Sequence, residues 1–305
     1  MMNSQISLIA SILLASFGFV LSETTLAESV SPIANFTITQ SLESSPNSAE
    51  DYLERGAVYG EQGNYDSALA DYNRAIEIDP NYAQAYINRG NIYLYVKEGK
   101  ADLALADYNR AIEINPNLAE GYYNRGVFYG KQGKADLALT DYNRAIEIKP
   151  SFGYAYVNRA SLYLDQGKID LALADYNQAI EIDSNLAEAY YNRGNIYKQQ
   201  GKIDLALADY NQAIEIEPNH FPAYTNRGNV YQEQEKIDLA LADYNQAIKI
   251  NPNLAEAYAS RSAIYEKKGK INLAVADLEN ARQLFSAQGN FAAVEQVDRF
   301  LRQLR

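Results

Sequence analysis

The chain has 305 residues, 47% of them hydrophobic, which is enough for one large or two ordinary domains with a substantial core. A formal net charge of −12 excludes the long basic face that a nucleic-acid binder needs. The absence of cysteine, beside a single histidine at His220, excludes thiolate zinc sites, iron–sulfur clusters, disulfides and Cys–His catalysis, and no cofactor is expected.

The amino-terminal run Ile6 to Leu21, ISLIASILLASFGFVL, is apolar but too short for a comfortable membrane span, and suits the core of a signal peptide. Small or tolerated residues stand at Val20-Leu21-Ser22 and at Thr25-Leu26-Ala27, and cleavage after Ala27 is favoured. MMNSQ carries no Lys or Arg, so an uncleaved membrane anchor is the alternative. Residues 1–27 therefore read as a signal peptide, and 28–48, rich in Ser, Thr, Asn and Pro, as a flexible linker. The chain is expected to be exported, periplasmic or secreted, with no membrane span once the signal is cleaved.

From Ala49 the sequence repeats itself. Asp-Tyr-Asn recurs at Asp71, Asp107, Asp141, Asp175, Asp209 and Asp243, spaced by 36 and then by 34, and Asp277-Leu278-Glu279 is a seventh, altered copy. In the unit Ala187 to His220, Tyr190, Gly194 and Tyr197 share one face of a first helix. Ile203, Ala206, Leu207, Tyr210, Ala213 and Ile214 share one face of a second. Gly201 separates the two helices, and Pro218 stops the second because the residue before proline is driven from helical angles. The next first helix starts at once. At Asn117, Asn185 and Asn253, each followed three residues on by Glu120, Glu188 or Glu256, a capping box is expected.

These residues give a resemblance. Tyr190, Gly194, Tyr197, Ala206, Tyr210, Ala213 and Pro218 fall in the order of the tetratricopeptide repeat, whose unit is a helix-turn-helix of about 34 residues. The match covers 49–288 in seven registered copies, with local departures at Ala160 and Ser262 for the first Gly, Glu235 for the turn Gly, Ser184 for the Pro and Leu278 for the second-helix Tyr. The resemblance implies an all-α, right-handed α-solenoid of seven helix pairs. Repeat two is two residues longer around Tyr95-Val96-Lys97-Glu98, which reads as a first helix running half a turn further, or else as a ridge offered to a partner. Residues 289–305, with Phe291, Val294, Val297, Phe300, Leu301 and Leu304 on one face, read as a capping helix over the open apolar end of the stack. A partner-binding helix is the alternative there.

The resemblance further implies a recognition scaffold whose first helices line a concave groove. Its groove positions are the second, fifth, ninth, twelfth and thirteenth of each repeat. The candidates are Glu50, Leu53, Ile87, Asn91, Leu94, Tyr95, Glu120, Tyr123, Tyr154, Glu188, Tyr191, Asn195, Asn229 and Glu256. Acids at these positions, among them Glu61, Asp165, Glu233 and Glu266, outnumber Lys131, Lys198 and Lys267. That balance speaks against the chaperone adaptors that clamp a terminal carboxylate, since their fifth-position Lys is here Ile87, Tyr191 or Thr225. A protein or peptide partner with a basic or amphipathic segment fits. An envelope carbohydrate stacked on Tyr123, Tyr154 and Tyr191 is the alternative. Twenty of the 26 tyrosines occupy three packing positions. Polar residues recur by repeat and do not cluster, so no catalytic or metal site is read. The partner's identity and the oligomeric state are left open.

One residue type departs from the family. Arg55, Arg89, Arg125, Arg159, Arg193, Arg227 and Arg261 stand where it usually has Leu, beside the apolar stripe. On the second helices Asp71, Asp107, Asp141, Asp175, Asp209, Asp243 and Asp277 stand at the corresponding edge. One Arg–Asp bridge per repeat is the economical reading, and an arginine ladder for an anionic ligand is the other.

Overall fold

A computed structural model describes residues 46–97 and 99–305; the signal-peptide reading and most of the linker lie outside them. Fifteen helices and no strand occur among the described residues, which fall into two compact units dividing between Ile182 and Asp183. The first unit holds α1 (Ala49–Glu61), α2 (Tyr65–Ile78), α3 (Ala83–Tyr95), α4 (Ala101–Ile114), α5 (Ala119–Lys131), α6 (Ala135–Ile148), α7 (Gly153–Asp165) and α8 (Ile169–Ile182). The second holds α9 (Ala187–Gln199), α10 (Ile203–Ile216), α11 (Phe221–Glu233), α12 (Ile237–Ile250), α13 (Ala255–Lys267), α14 (Ile271–Ala287) and α15 (Phe291–Leu304). Odd-numbered helices through α13 are the first helices of seven pairs, and within each unit successive pairs stack on one another as an α-solenoid.

Small residues set the spacing of the stack. Ala75 and Ala145 in one unit, and Ala213 in the other, are wholly buried where a second helix meets the next first helix. Within a pair, the second-helix tyrosine lies flat against a first-helix glycine. A Cβ on Gly194 would stand 2.9 Å from the Tyr210 ring, and one on Gly56 2.6 Å from Tyr72. The departure at repeat seven is paired: Ser262, larger than glycine, faces Leu278, slimmer than tyrosine, and both are buried. Each pair turns through a left-handed residue, glycine in most copies and Glu235 at φ 57° in repeat six.

The expected capping boxes do not form. The helices begin two residues after Asn117, Asn185 and Asn253, with Leu118, Leu186 and Leu254 at the cap positions and no side-chain cap bond. The backbone N–H of Asn117, Asn185 and Asn253 instead donates to the side chain of Asn115, Asp183 or Asn251, a tight turn two residues long. Leu186 is buried in this arrangement, and burying a leucine outweighs a cap bond of about 1 kcal/mol. The capping box that does form is at Ser48 and Asp51, on α1. Repeat two also differs from expectation. Helix α3 has the same 13 residues as the other first helices, and the extra length is taken up in the turn, where Lys97 Nζ reaches Asp66 Oδ1 at 2.6 Å.

Helix α15 lays Ala293, Val297 and Leu301 on Ala259, Leu278 and Phe285, while Phe291, counted with its apolar face in the sequence, is 72% exposed. Arg305 pairs with Glu279 and Arg282 with Asp298, which fastens the helix to α14. No helix among the described residues is long and apolar enough to cross a membrane.

Candidate functional site

The arginine of each first helix and the aspartate of its second helix meet in all seven pairs. Nε and Nη2 donate to the two carboxylate oxygens at 2.6–2.9 Å, a parallel two-point contact. The hydrogen bonds to Asp209 hold the Arg193 guanidinium above its ordinary pKa, while burial lifts the Asp107 carboxyl against the pull of Arg89. Tyrosines three before and four after flank the guanidinium; for Arg193 these are Tyr190 at 5.5 Å and Tyr197 at 5.8 Å.

A third partner was not read from the sequence. Nη1 of Arg89, Arg125, Arg159, Arg227 and Arg261 donates at 2.6–2.8 Å to Asn73, Asn109, Asn143, Asn211 and Asn245, the asparagine of Asp-Tyr-Asn in the preceding repeat. Each such arginine thus joins its own pair and ties that pair to the one before. The signal was present in the recurrence of Asn after Asp-Tyr and its replacement by Glu279 in the last copy, where Arg305 of the terminal helix takes the contact. Because these donors are already engaged, the arginines do not form a ladder for an anionic ligand.

The candidate groove residues divide into wall and surface. Ile87 is 1% exposed and packs with Ala83 and Ala111, so it supports the wall and offers nothing to a partner. Asn91, Asn195 and Asn229 accept hydrogen bonds at 2.7–2.8 Å from the hydroxyls of Tyr108, Tyr210 and Tyr244. Each amide oxygen is thereby engaged, because a ring buried for its apolar area must still satisfy its hydroxyl, while Asn195 and Asn229 remain half-buried beside the wall. Burial raises the Tyr191 hydroxyl to about 12, and its ring packs on His220 at 4.8 Å and Tyr210 at 6.2 Å. Tyr123 packs likewise on Phe152 at 4.8 Å and Tyr142 at 6.1 Å. These two half-buried rings give part of their area to tilted contacts with neighbouring rings, which leaves less of it for a carbohydrate platform. Asn158 and Asn226 donate to the Tyr123 and Tyr191 hydroxyls, so adjacent first helices are stitched along this wall.

Tyr95, Tyr154, Leu53 and Leu94 are half-buried and Glu50 is exposed. Lys131 lies 4.9 Å from the centre of the Tyr95 ring. Glu120 pairs with Lys149 at 2.9 Å, and Lys198 with Glu233 at 3.4 Å. Glu188 and Glu256 are half-buried, and Glu188 lies 3.8 Å from the imidazole of His220. His220 itself caps α11 by accepting from the N–H of Ala223 at 3.1 Å, a role its solitary place in the sequence did not reveal. Asp165 carries no ion pair among the described residues, and partial desolvation raises its carboxyl above the ordinary range. No metal-binding cluster of His, Cys, Asp and Glu occurs among the described residues.

Paired helices in this register, with a wall that varies between otherwise copied units, define a repeat scaffold for protein–protein interaction. A family profile described as "TPR repeat" matches residues 56–94, 93–133 and 160–201, and one described as "Tetratricopeptide repeat" matches 119–152, 187–220 and 221–254. The chain belongs to the tetratricopeptide repeat family. No curated protein matches it. Among solved structures it is similar to one titled as the APC/C hetero-tetramer Cut9-Hcn1, with 18% identity and a TM-score of 0.71 over 88% of this chain and 51% of that one. It is also similar to a tetratricopeptide repeat protein from Parabacteroides merdae, with 21% identity and a TM-score of 0.58 over 82% of this chain and 98% of that one. The chain spans about half the length of the first of these. At such identities the likeness speaks for the fold alone.

Proposed function

We propose that the protein is a non-enzymatic adaptor, exported to the cell envelope or beyond, that holds a basic or amphipathic segment of a protein partner along its first helices. The observation that carries this reading is the uncompensated acid of the wall. Asp165 is exposed at the thirteenth position of its repeat and has no ion pair among the described residues, so a lysine or arginine from a partner finds an unpaired carboxylate there. Glu50 and Glu256 have no ion pair among the described residues and add to the same sign. Complementary charge of this kind speeds encounter and rejects acidic competitors. The export half of the reading rests on the apolar run Ile6 to Leu21 and the small residues that end at Ala27.

The test is capture from envelope fractions followed by charge reversal. Asp165→Lys, and separately Glu256→Lys, should weaken capture of the partner about tenfold while leaving helicity intact, since Asp165 is exposed and Glu256 is half-buried with no ion pair to break among the described residues. Capture undiminished by either change counts against the groove.

A further inference from the structure

The second helices carry an outward residue that their packing does not explain. Leu103, Leu137 and Leu171 in the first unit, and Leu205, Leu239 and Leu273 in the second, are each 44–49% exposed, whereas the alanine next in sequence is wholly buried in every case. One exposed leucine is ordinary. Within each unit, a leucine at the same exposed place in consecutive pairs makes a row of apolar ridges, one per repeat, of a kind that marks a contact surface.

Three features specify what covers it. The row has one ridge per repeat, so the surface whose ridges and furrows share its period is another such row. The charges beside it are self-complementary in the first unit: the residues three before and one before the leucine, Lys100 and Asp102, Lys134 and Asp136, Lys168 and Asp170, are exposed and opposite in sign, whereas in the second unit Asn272 stands before Leu273 and Asp238 is paired with Lys268. Finally, both ends of the array are closed to stacking. Asp51 stands on α1 where later first helices bury Ala or Gly, and it is engaged with Ser48; α15 covers the other end. We propose that a second copy of this chain docks side by side on the leucine row. A two-fold axis lying across the row of the first unit runs the repeats of the two copies in opposite directions, sets leucines of one copy between leucines of the other, and brings Lys100, Lys134 and Lys168 toward Asp102, Asp136 and Asp170 of the other copy. Ser67, at the same place in repeat one, marks where the row ends.

Sedimentation velocity on the full chain tests this, beside the double variant Leu137→Ser with Leu171→Ser. The wild type is expected to dimerise. The double variant should raise the dissociation constant about a hundredfold, roughly tenfold for each substituted position counting its loss from both copies, with unchanged far-ultraviolet circular dichroism. A wild type that stays monomeric at about 100 μM, or a dimer of undiminished strength in the double variant, would overturn the proposal. So would leucine-dependent flotation of the monomer on anionic phospholipid vesicles, which would give the row to a lipid surface.

Discussion

The arginine clamp is most sharply tested at Arg227. Its guanidinium donates to Asp243 at 2.8 and 2.7 Å and to Asn211 at 2.6 Å, and it lies 5.4 Å from Tyr224 and 5.9 Å from Tyr231. Asp243 is 5% exposed, so Arg227→Leu strands a carboxylate that water barely reaches. Stranding one member of a buried pair costs about 3 to 5 kcal/mol, and the arginine's 17% side-chain exposure puts this pair near the lower end. Adding Asp243→Leu removes the stranded charge and should return about 2 kcal/mol of that loss, because two leucines can fill the edge of an apolar stripe. Asn211→Ala should cost about 1 kcal/mol, through the tie to the preceding pair alone. Urea unfolding followed by circular dichroism measures the total. Amide exchange in α11 and α12 measures the same loss locally, which matters because stacked repeats need not unfold as one unit. If Arg227→Leu with Asp243→Leu is no more stable than Arg227→Leu alone, the charge pairing does not tie these helices.

Two further outcomes follow from local geometry. Glu235→Gly should stabilise the chain by about 1 kcal/mol in a thermal melt, because glycine takes the left-handed φ of 57° without a Cβ penalty, and the 3.7 Å contact of Glu235 with Lys267 is an exposed pair of little worth; a lower melting temperature would refute this. The Asp51 carboxyl is held below its ordinary range chiefly by the backbone N–H groups of Asn47 and Ser48, so the capping box contributes above the unfolded pKa of about 4 and is lost as pH falls through the lower folded value. Amide protection in the first turn of α1 should therefore fall at acid pH before that of α5, and equal persistence of the two would count against the box.

Much of the fold was legible because its signals are local. The three-and-four spacing of Tyr190, Gly194 and Tyr197, the turn at Gly201 and the stop at Pro218 each depend on a few adjacent residues, and seven copies repeat the message. The candidate site was less legible. Ile87 and Asn91 occupy family groove positions, yet whether such a position faces solvent depends on the size of residues in the next helix, and here Ala111 and Tyr108 draw both inward. The capping boxes failed for a similar reason: the local pattern was present, but the leucine that follows each asparagine, buried at Leu186 and half-buried at Leu118 and Leu254, takes the cap position.

By itself the sequence determined the period, the pairing of helices and the edge on which Arg and Asp stand, since these follow from periodicity and the backbone preferences of Gly and Pro. Only the tertiary structure decided that Nη1 reaches the asparagine of the preceding repeat, that tyrosine hydroxyls donate to the oxygens of the groove asparagines, and that the second-helix leucines are left exposed. Those outcomes rest on distances between helices that are remote along the chain, set by alanine contacts and aromatic rings.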